Sequence, residues 1–265
     1  MYSYFQLAQK YIIYYLHAAN SKGHGMHSPF VFGFIEHVLN NKNKYEAPQQ
    51  IEDLRKRLLS DKELLTIEDM GAGSRTSASN QRTVGELATT AVKPKKFGQL
   101  FYRLVKHYQP ATILELGTSL GVTTAYMALA NPDAQVISIE GSEAIYKKAL
   151  TNFKELGLKN ISAINGNFDR VLPEVLCKLD HVDLAYIDGN HRYQPTVDYF
   201  QQLLPMVDNG SILVFDDIHW SGEMEQAWKE IKKHPAVQYT VDLFFLGIVF
   251  FRKEFKEKQH FSIRY

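Results

Sequence analysis

The sequence predicts an α/β fold: a doubly wound, mainly parallel sheet of seven strands, preceded by a helical extension. Three observations predict it. From Thr112 onward, short apolar runs alternate with helix-length segments, and each gap is long enough for a crossover helix. The first run, Ile113–Leu116, breaks at Gly117-Thr118-Ser119-Leu120-Gly121 and enters an apolar helical stretch ending near Ala130. The last two runs, Val237–Val241 and Ile248–Phe251, are joined by too few residues for a crossover and must form an antiparallel hairpin.

Residues 3–19 place Phe5, Leu7, Ile12 and Leu16 at helical spacing. This amphipathic helix is expected to pack on its own domain or on a second subunit, as in a homodimer. A membrane-surface helix would carry more Lys and Arg on its polar face. Lys22–Phe30 reads as a loop in which His24 and His27 could line a site, although two histidines alone are too few for a metal centre. Residues 41–66 read as polar and helical, with Ile51, Leu54, Leu58 and Leu59 on one face. Ile67–Ser74 imitates a strand, acid and glycine, but the polar stretch after it has no helical apolar face, so it reads as a loop or lid. Val84–Ala91 and Phe97–Tyr108 read as helices, the second stopped by Pro110.

Strands are then expected near 112–116, 135–140, 161–165, 182–187 and 210–215, with helices near 122–130, 142–156, 168–178, 193–204 and 222–233. The expected division is a helical cap or lid over 1–95 and a cofactor-binding domain over 96–265.

The bulk numbers narrow the function. A chain of 265 residues with a formal net charge of +1 lacks the basic footprint of a nucleic-acid binder. Its one cysteine, Cys177, excludes an internal disulfide and suits a reducing compartment. The start lacks a basic signal-peptide region and no run reaches membrane-spanning length, so a cytoplasmic location is expected.

In open α/β sheets the ligand lies beyond the carboxyl ends of the strands, so the residues there carry the chemistry. The first strand ends in Glu115 and Gly117; Gly117 and Gly121 permit a tight turn and a close backbone approach to a ligand. Free N–H groups at the following helix start suit a carboxylate or phosphate. The second strand ends in Glu140-Gly141, an acid able to accept both hydroxyls of a ribose. The third leads to Asn167-Phe168-Asp169, a polar loop with an aromatic to border a base. The fourth ends in Asp188-Gly189-Asn190-His191, and the fifth in Asp216-Asp217. Acids at such positions often only cap helices. Gathered on one sheet edge, Asp188, Asp216 and Asp217 suit a divalent cation, and oxygen ligands select Mg²⁺, Mn²⁺ or Ca²⁺.

With these residues in view, the stretch from about Phe97 to Arg252 resembles class I S-adenosylmethionine (SAM) methyltransferases, whose fold is Rossmann-like. It is similar to metal-dependent O-methyltransferases of the catechol and caffeoyl-CoA type, and to a related bacterial group with an Asp-Gly-x-His-x-Tyr segment. The resemblance implies that Glu115, Gly117, Thr118 and Gly121 surround the methionine end of SAM and that Thr123 donates to its carboxylate. It places Glu140 and Gly141 at the ribose and Asn167, Phe168 and Asp169 at the adenine. It implies a metal on Asp188, Asp216 and Asp217, with Asp217 standing where the family has Asn. His191 stands where the family often has a lysine base, and a largely neutral imidazole can accept a proton at pH 7.

The implied reaction is methyl transfer from SAM to a hydroxyl of a small molecule, with divalent-metal assistance and catalysis by His191 and Asp188. Two other readings stay open: a nicotinamide-dependent oxidoreductase on a Rossmann sheet, and a non-catalytic SAM- or nucleotide-binding protein.

Overall fold

The computed structural model describes residues 1–20, 28–41, 48–67, 81–254 and 257–265. His24, His27 and most of the acid-and-glycine imitation at 67–74 lie outside the described residues. The chain folds as two compact units, Met1–Asn40 with Val175–Tyr265, and Asn41–Glu174. This division cuts the chain elsewhere than at residue 95, because the first forty residues belong with the C-terminal strands.

In chain order the elements begin with α1 (Tyr4–His17) and α2 (Pro29–Phe34), the latter continued by a π-helical turn over Ile35–Leu39. Next come α3 (Pro48–Ser60), β1 (Leu64–Thr66), β2 (Gln81–Thr83), α4 (Val84–Thr90) and α5 (Lys95–Tyr108). The alternating region holds β3 (Thr112–Leu116), α6 (Val122–Ala130), β4 (Gln135–Glu140), α7 (Glu143–Glu155), β5 (Ile161–Asn165) and α8 (Phe168–Leu176). It continues with β6 (Leu184–Ile187), α9 (Tyr193–Leu203), β7 (Ile212–Asp216) and α10 (Gly222–Lys233). The chain closes with β8 (Tyr239–Asp242), β9 (Leu246–Phe250) and β10 (Gln259–Ser262).

The predicted α/β class and its parallel pairing hold. In the central unit β3, β4 and β5 pair in parallel, Glu115 opposite Ser138 and Glu140 opposite Asn165. In the other unit β6 and β7 are parallel, and β9 runs antiparallel to both β7 and β8, which is the expected hairpin. Three strands lie beyond the seven expected among the described residues: the antiparallel pair β1 and β2, and β10, which pairs in parallel with β8. The four residues of β10 alternate between half-buried and exposed, so no apolar run announces it.

Local chemistry sets the element ends. Ser3 caps α1 and Gln6 returns the bond to the Ser3 backbone; Thr83 and Glu86 do the same for α4. Ser28 caps α2 with Pro29 in its first turn, where a missing N–H costs nothing. In α5, Phe97, Leu100, Phe101, Leu104 and Val105 are buried at helical spacing. Gln109 ends that helix in the left-handed conformation at φ 49°, ahead of Pro110.

Helices α5 and α6 approach closely at Gly98. A Cβ there would lie 2.3 Å from the ring of Tyr126. That ring is fully buried, and its hydroxyl donates to Glu52 on α3, so it has little room to yield. Gly98→Ala is therefore expected to destabilise the fold by about 3 kcal/mol, as overpacking does. A lower urea midpoint with unchanged slope checks it.

In the other unit, α1 is tied down by a polar cluster. The Tyr2 hydroxyl donates to Glu225 Oε2 at 2.8 Å, and Lys10 Nζ meets both Glu225 oxygens at 2.9 and 3.0 Å. His219 lies between Glu225 at 3.1 Å and Asp242 at 2.8 Å. Tyr11 packs edge-on against Phe244 at 5.0 Å, and the Tyr14 hydroxyl donates to the Ile263 carbonyl.

Burial alone raises the pKa of Glu225, but Lys10, Tyr2 and His219 outweigh it and hold the carboxyl below its ordinary value. A carboxyl depressed on folding adds stability that is present above its unfolded pKa and lost as pH falls through the folded one. Acidification is therefore expected to loosen α1. The protection of amides along α1, taken relative to their intrinsic exchange rate at each pH, should fall as pH drops below the ordinary glutamate range, and Glu225→Gln should remove that acid dependence.

Candidate functional site

In the central unit, the turn after β3 is built for close approach. Gly117 has φ 104°, Ser119 φ 48° and Gly121 φ 78°. Side chains rarely adopt these angles, and a Cβ on Gly121 would also meet the Phe153 ring at 2.4 Å. The Gly117 and Thr118 N–H groups both donate to the Ile139 carbonyl, at 2.9 and 3.2 Å, which ties the turn to β4. Asn152 on α7 donates to the Leu120 carbonyl at 2.9 Å. The turn then opens α6, whose first N–H groups have no side-chain cap and so stay available to an anion.

Glu140, the last residue of β4, joins two loops. Its Oε2 accepts from the Ser119 N–H at 2.8 Å and its Oε1 from the Ser142 N–H at 2.9 Å. Glu140 is half-buried, and a carboxylate is an acceptor for hydroxyl donors. The Asn165 side chain and the Gly166 N–H both reach the Glu140 carbonyl, at 2.8 and 2.9 Å, which sets Gly141 and the β5 loop beside it. Asn167 accepts from the Asp169 N–H at 2.8 Å at the start of α8, next to Phe168. This donor set fits a nucleoside with an amino-acid tail: a carboxylate for a diol, and a tight turn with a helix start for a carboxylate.

Two sequence expectations change in detail. Glu115 is fully enclosed, with Thr124 and Ser138 hydroxyls donating to its Oε2, and therefore braces the turn from inside instead of lining its open side. Thr118 is likewise buried, its hydroxyl bonded to that of Ser138. Thr123 sits half-buried at the start of α6. Ser138 was missed by sequence reasoning, although a lone hydroxyl in Val136-Ile137-Ser138-Ile139 is a signal. An isolated polar group inside an apolar strand needs a buried partner, and Glu115 is that partner.

In the other unit, Asp188 after β6, His191 and Asp216 at the end of β7 come together. Each offers one ligand atom, and these atoms lie within 4.8 Å of one another. His191 Nε2 is 3.6 Å from Asp188 Oδ1, and the buried Tyr186 hydroxyl donates to Asp188 Oδ2 at 2.8 Å. Asn190 and His191 are both in the left-handed region, at φ 64° and 29°, and the Asn190 amide donates to the Tyr199 hydroxyl at 3.1 Å. Asp216 is 1% exposed. The two carboxylates are fitting donors for a divalent cation, and the imidazole beside them is a candidate proton acceptor.

Asp217, expected as a third ligand, is not in this group. It occupies a left-handed turn at φ 51°, its N–H donating to the Phe245 carbonyl and its own carbonyl accepting from Trp220. His219 is held in the α1 cluster. Burial lowers its pKa, but the Asp242 and Glu225 carboxylates outweigh that and raise it above the ordinary histidine value.

Residues 114–218 match the family model described as a methyltransferase domain. A caffeoyl-CoA O-methyltransferase from Populus kitakamiensis is 30% identical over 52% of this chain and 59% of its own length. A catechol O-methyltransferase from Niastella koreensis is 27% identical over 61% of this chain and 72% of its own. The chain thus spans little more than half the length of the first of these relatives. Among solved structures, the SAH-bound Podospora anserina methyltransferase PaMTH1 superposes with a TM-score of 0.59 at 12% identity, over 95% of this chain and 97% of the other. At that identity the likeness speaks for the fold. No helix among the described residues is long and apolar enough to cross a membrane.

Proposed function

We propose that this chain, with its methyltransferase domain at 114–218, is a SAM-dependent O-methyltransferase acting on a hydroxyl of a small molecule. The observation that carries the proposal is Glu140, a half-exposed carboxylate bonded to the glycine turn through Ser119 and to its own loop through Ser142. Such a residue sets the position of a ribose and of the turn together. The names of the two O-methyltransferase relatives support the choice of a hydroxyl acceptor. The formal net charge of +1 supports a small acceptor over nucleic acid. We assign the protein to the cytoplasm, where Cys177, a free exposed thiol, stays reduced.

The residues take separate tasks. Gly117, Gly121 and the start of α6, with Thr123, receive the amino-acid tail, and Glu115 keeps that turn in shape from behind. Glu140 and Gly141 receive the ribose, and Asn167, Phe168 and Asp169 border the base. SAM supplies an electrophilic methyl group on sulfur. Asp188 and Asp216 would hold a divalent cation (Mg²⁺, Mn²⁺ or Ca²⁺), which would supply Lewis acidity to the acceptor hydroxyl. His191 takes the hydroxyl proton. Asp188 lies 3.6 Å from His191, and Tyr186 fixes the other Asp188 oxygen.

Titration calorimetry with SAM, SAH and NAD tests the cofactor assignment. Uptake of SAM and SAH without uptake of NAD is expected, and the reverse would restore the oxidoreductase reading. Transfer of labelled methyl from SAM to catechol or caffeoyl-CoA, with and without Mg²⁺ or Mn²⁺, tests the reaction. Cofactor uptake with no transfer to any hydroxyl acceptor would leave a binding protein.

A further inference from the structure

The start of the chain is fastened to the loop that leaves Asp216. No residue of α1 is buried, so enclosure in the core does not hold the helix in place. Just ahead of the cap at Ser3, the Tyr2 N–H donates to the Trp220 carbonyl at 3.1 Å, and the Tyr2 hydroxyl donates to Glu225 Oε2 at 2.8 Å. Lys10 Nζ lies 4.5 Å from the centre of the Tyr2 ring while it also binds Glu225, so one cation holds both ring and carboxylate. Tyr2 thus grips the loop at Trp220 and the first turn of α10 at Glu225.

That loop is fixed from several sides. Asp216 ends β7, and Asp217 follows at φ 51°, a left-handed conformation that a side chain enters at a cost. Its N–H donates to the Phe245 carbonyl at 2.7 Å, and its carbonyl accepts from the Trp220 N–H at 2.9 Å. In the facing β8–β9 turn Phe244 is left-handed too, at φ 69°, and its N–H donates to Asp242 Oδ1 at 2.8 Å. The helix touches this second turn as well, where Tyr11 packs edge-on against Phe244 at 5.0 Å and parallel to Phe245 at 6.2 Å. His219 joins the two turns, stacked on Phe244 at 5.1 Å and bonded to Asp242 and Glu225. Left-handed residues of this kind persist where their surroundings over-determine them, and the N-terminal segment supplies part of those surroundings.

The place of these contacts bears on the chemistry. Tyr2 holds the far end of a turn that begins at Asp216, one of the two carboxylates placed to hold the cation. A displacement of about 1 Å at a reacting centre can cost about a hundredfold in rate.

We propose that Tyr2 is a positioning residue for the acceptor side of the reaction, fixing the loop after Asp216 through Trp220 and Glu225. The inference rests on the methyltransferase reading. Tyr2→Phe keeps the ring beside Lys10 and loses the hydroxyl, whereas Tyr2→Ala loses both. The kcat for methyl transfer should fall about threefold in the first and about tenfold in the second, less than a full ångström would cost because the Tyr2 N–H stays on Trp220. The KM for SAM, SAM affinity by calorimetry and far-UV spectra should stay unchanged, which separates lost positioning from lost folding. The chain has two tryptophans, so protein labelled with 5-fluorotryptophan gives two fluorine resonances, assigned by Trp220→Phe. Tyr2→Ala should shift the Trp220 resonance and leave that of Trp228 in place. With an active wild type, an unmoved Trp220 resonance would overturn the proposal, as would a shifted one with kcat intact. A wild-type chain that takes up SAM and methylates no hydroxyl would overturn the methyltransferase reading, and the positioning role with it.

Discussion

Glu140→Ala is expected to weaken SAM binding by about 100-fold while the protein stays folded. Hydrogen bonds to a charged group contribute about 1.5–3 kcal/mol each, and two ribose hydroxyls lose them together. A loss near 2.8 kcal/mol is a hundredfold change in affinity. The variant also frees the Ser119 and Ser142 N–H groups, which now hold the carboxylate at 2.8 and 2.9 Å. Ser119 is half-buried, but Ser142 is 3% exposed, so its freed N–H goes without a partner and the unfolding midpoint should fall by the equivalent of about 1–3 kcal/mol. Glu140→Gln should fall between the two, because an amide keeps one acceptor oxygen and places a donor where the other was. Calorimetry on the three proteins gives the ordering. A SAM affinity unchanged in Glu140→Ala would remove the ribose from this residue.

Much of this site was legible in the sequence because its parts are local. A strand ending in an acid, a turn needing two glycines and a helix start occupy adjacent positions, and Gly117 and Gly121 do have the positive φ that the spacing demands. The parallel order of β3, β4 and β5 followed from crossover length, and the β8–β9 hairpin from the want of it. What was not legible depends on partners distant in sequence. Whether Glu115 faces a ligand or the interior is decided by Ser138, 23 residues away, and by Thr124. The attachment of α1 depends on Glu225 and Asp242, more than 200 residues on, so its allegiance to the C-terminal unit could not be read from periodicity. Strand β10 has the same cause: it is specified by its pairing with β8, not by its own composition.

The carboxylate pair is the remaining case in which one residue separates two outcomes. Asp216→Asn keeps size and shape but removes one of two negative charges in the group that includes Asp188 and His191. Divalent-ion affinity depends on the charge of its oxygen ligands, so Mn²⁺ binding, followed by its paramagnetic resonance, should weaken at least tenfold. Turnover at fixed metal should fall by about 10³-fold, the range seen when a preorganised electrostatic contact to the reacting oxygen is removed. SAM affinity should hold, because none of the residues assigned to the cofactor is touched. His191→Ala should differ in kind. Loss of a base slows turnover most at low pH, where the hydroxyl is least ionised, and partial recovery at high pH is expected. If Asp216→Asn loses activity with Mn²⁺ affinity intact, the carboxylate acts on the acceptor directly and the cation has no part in its role.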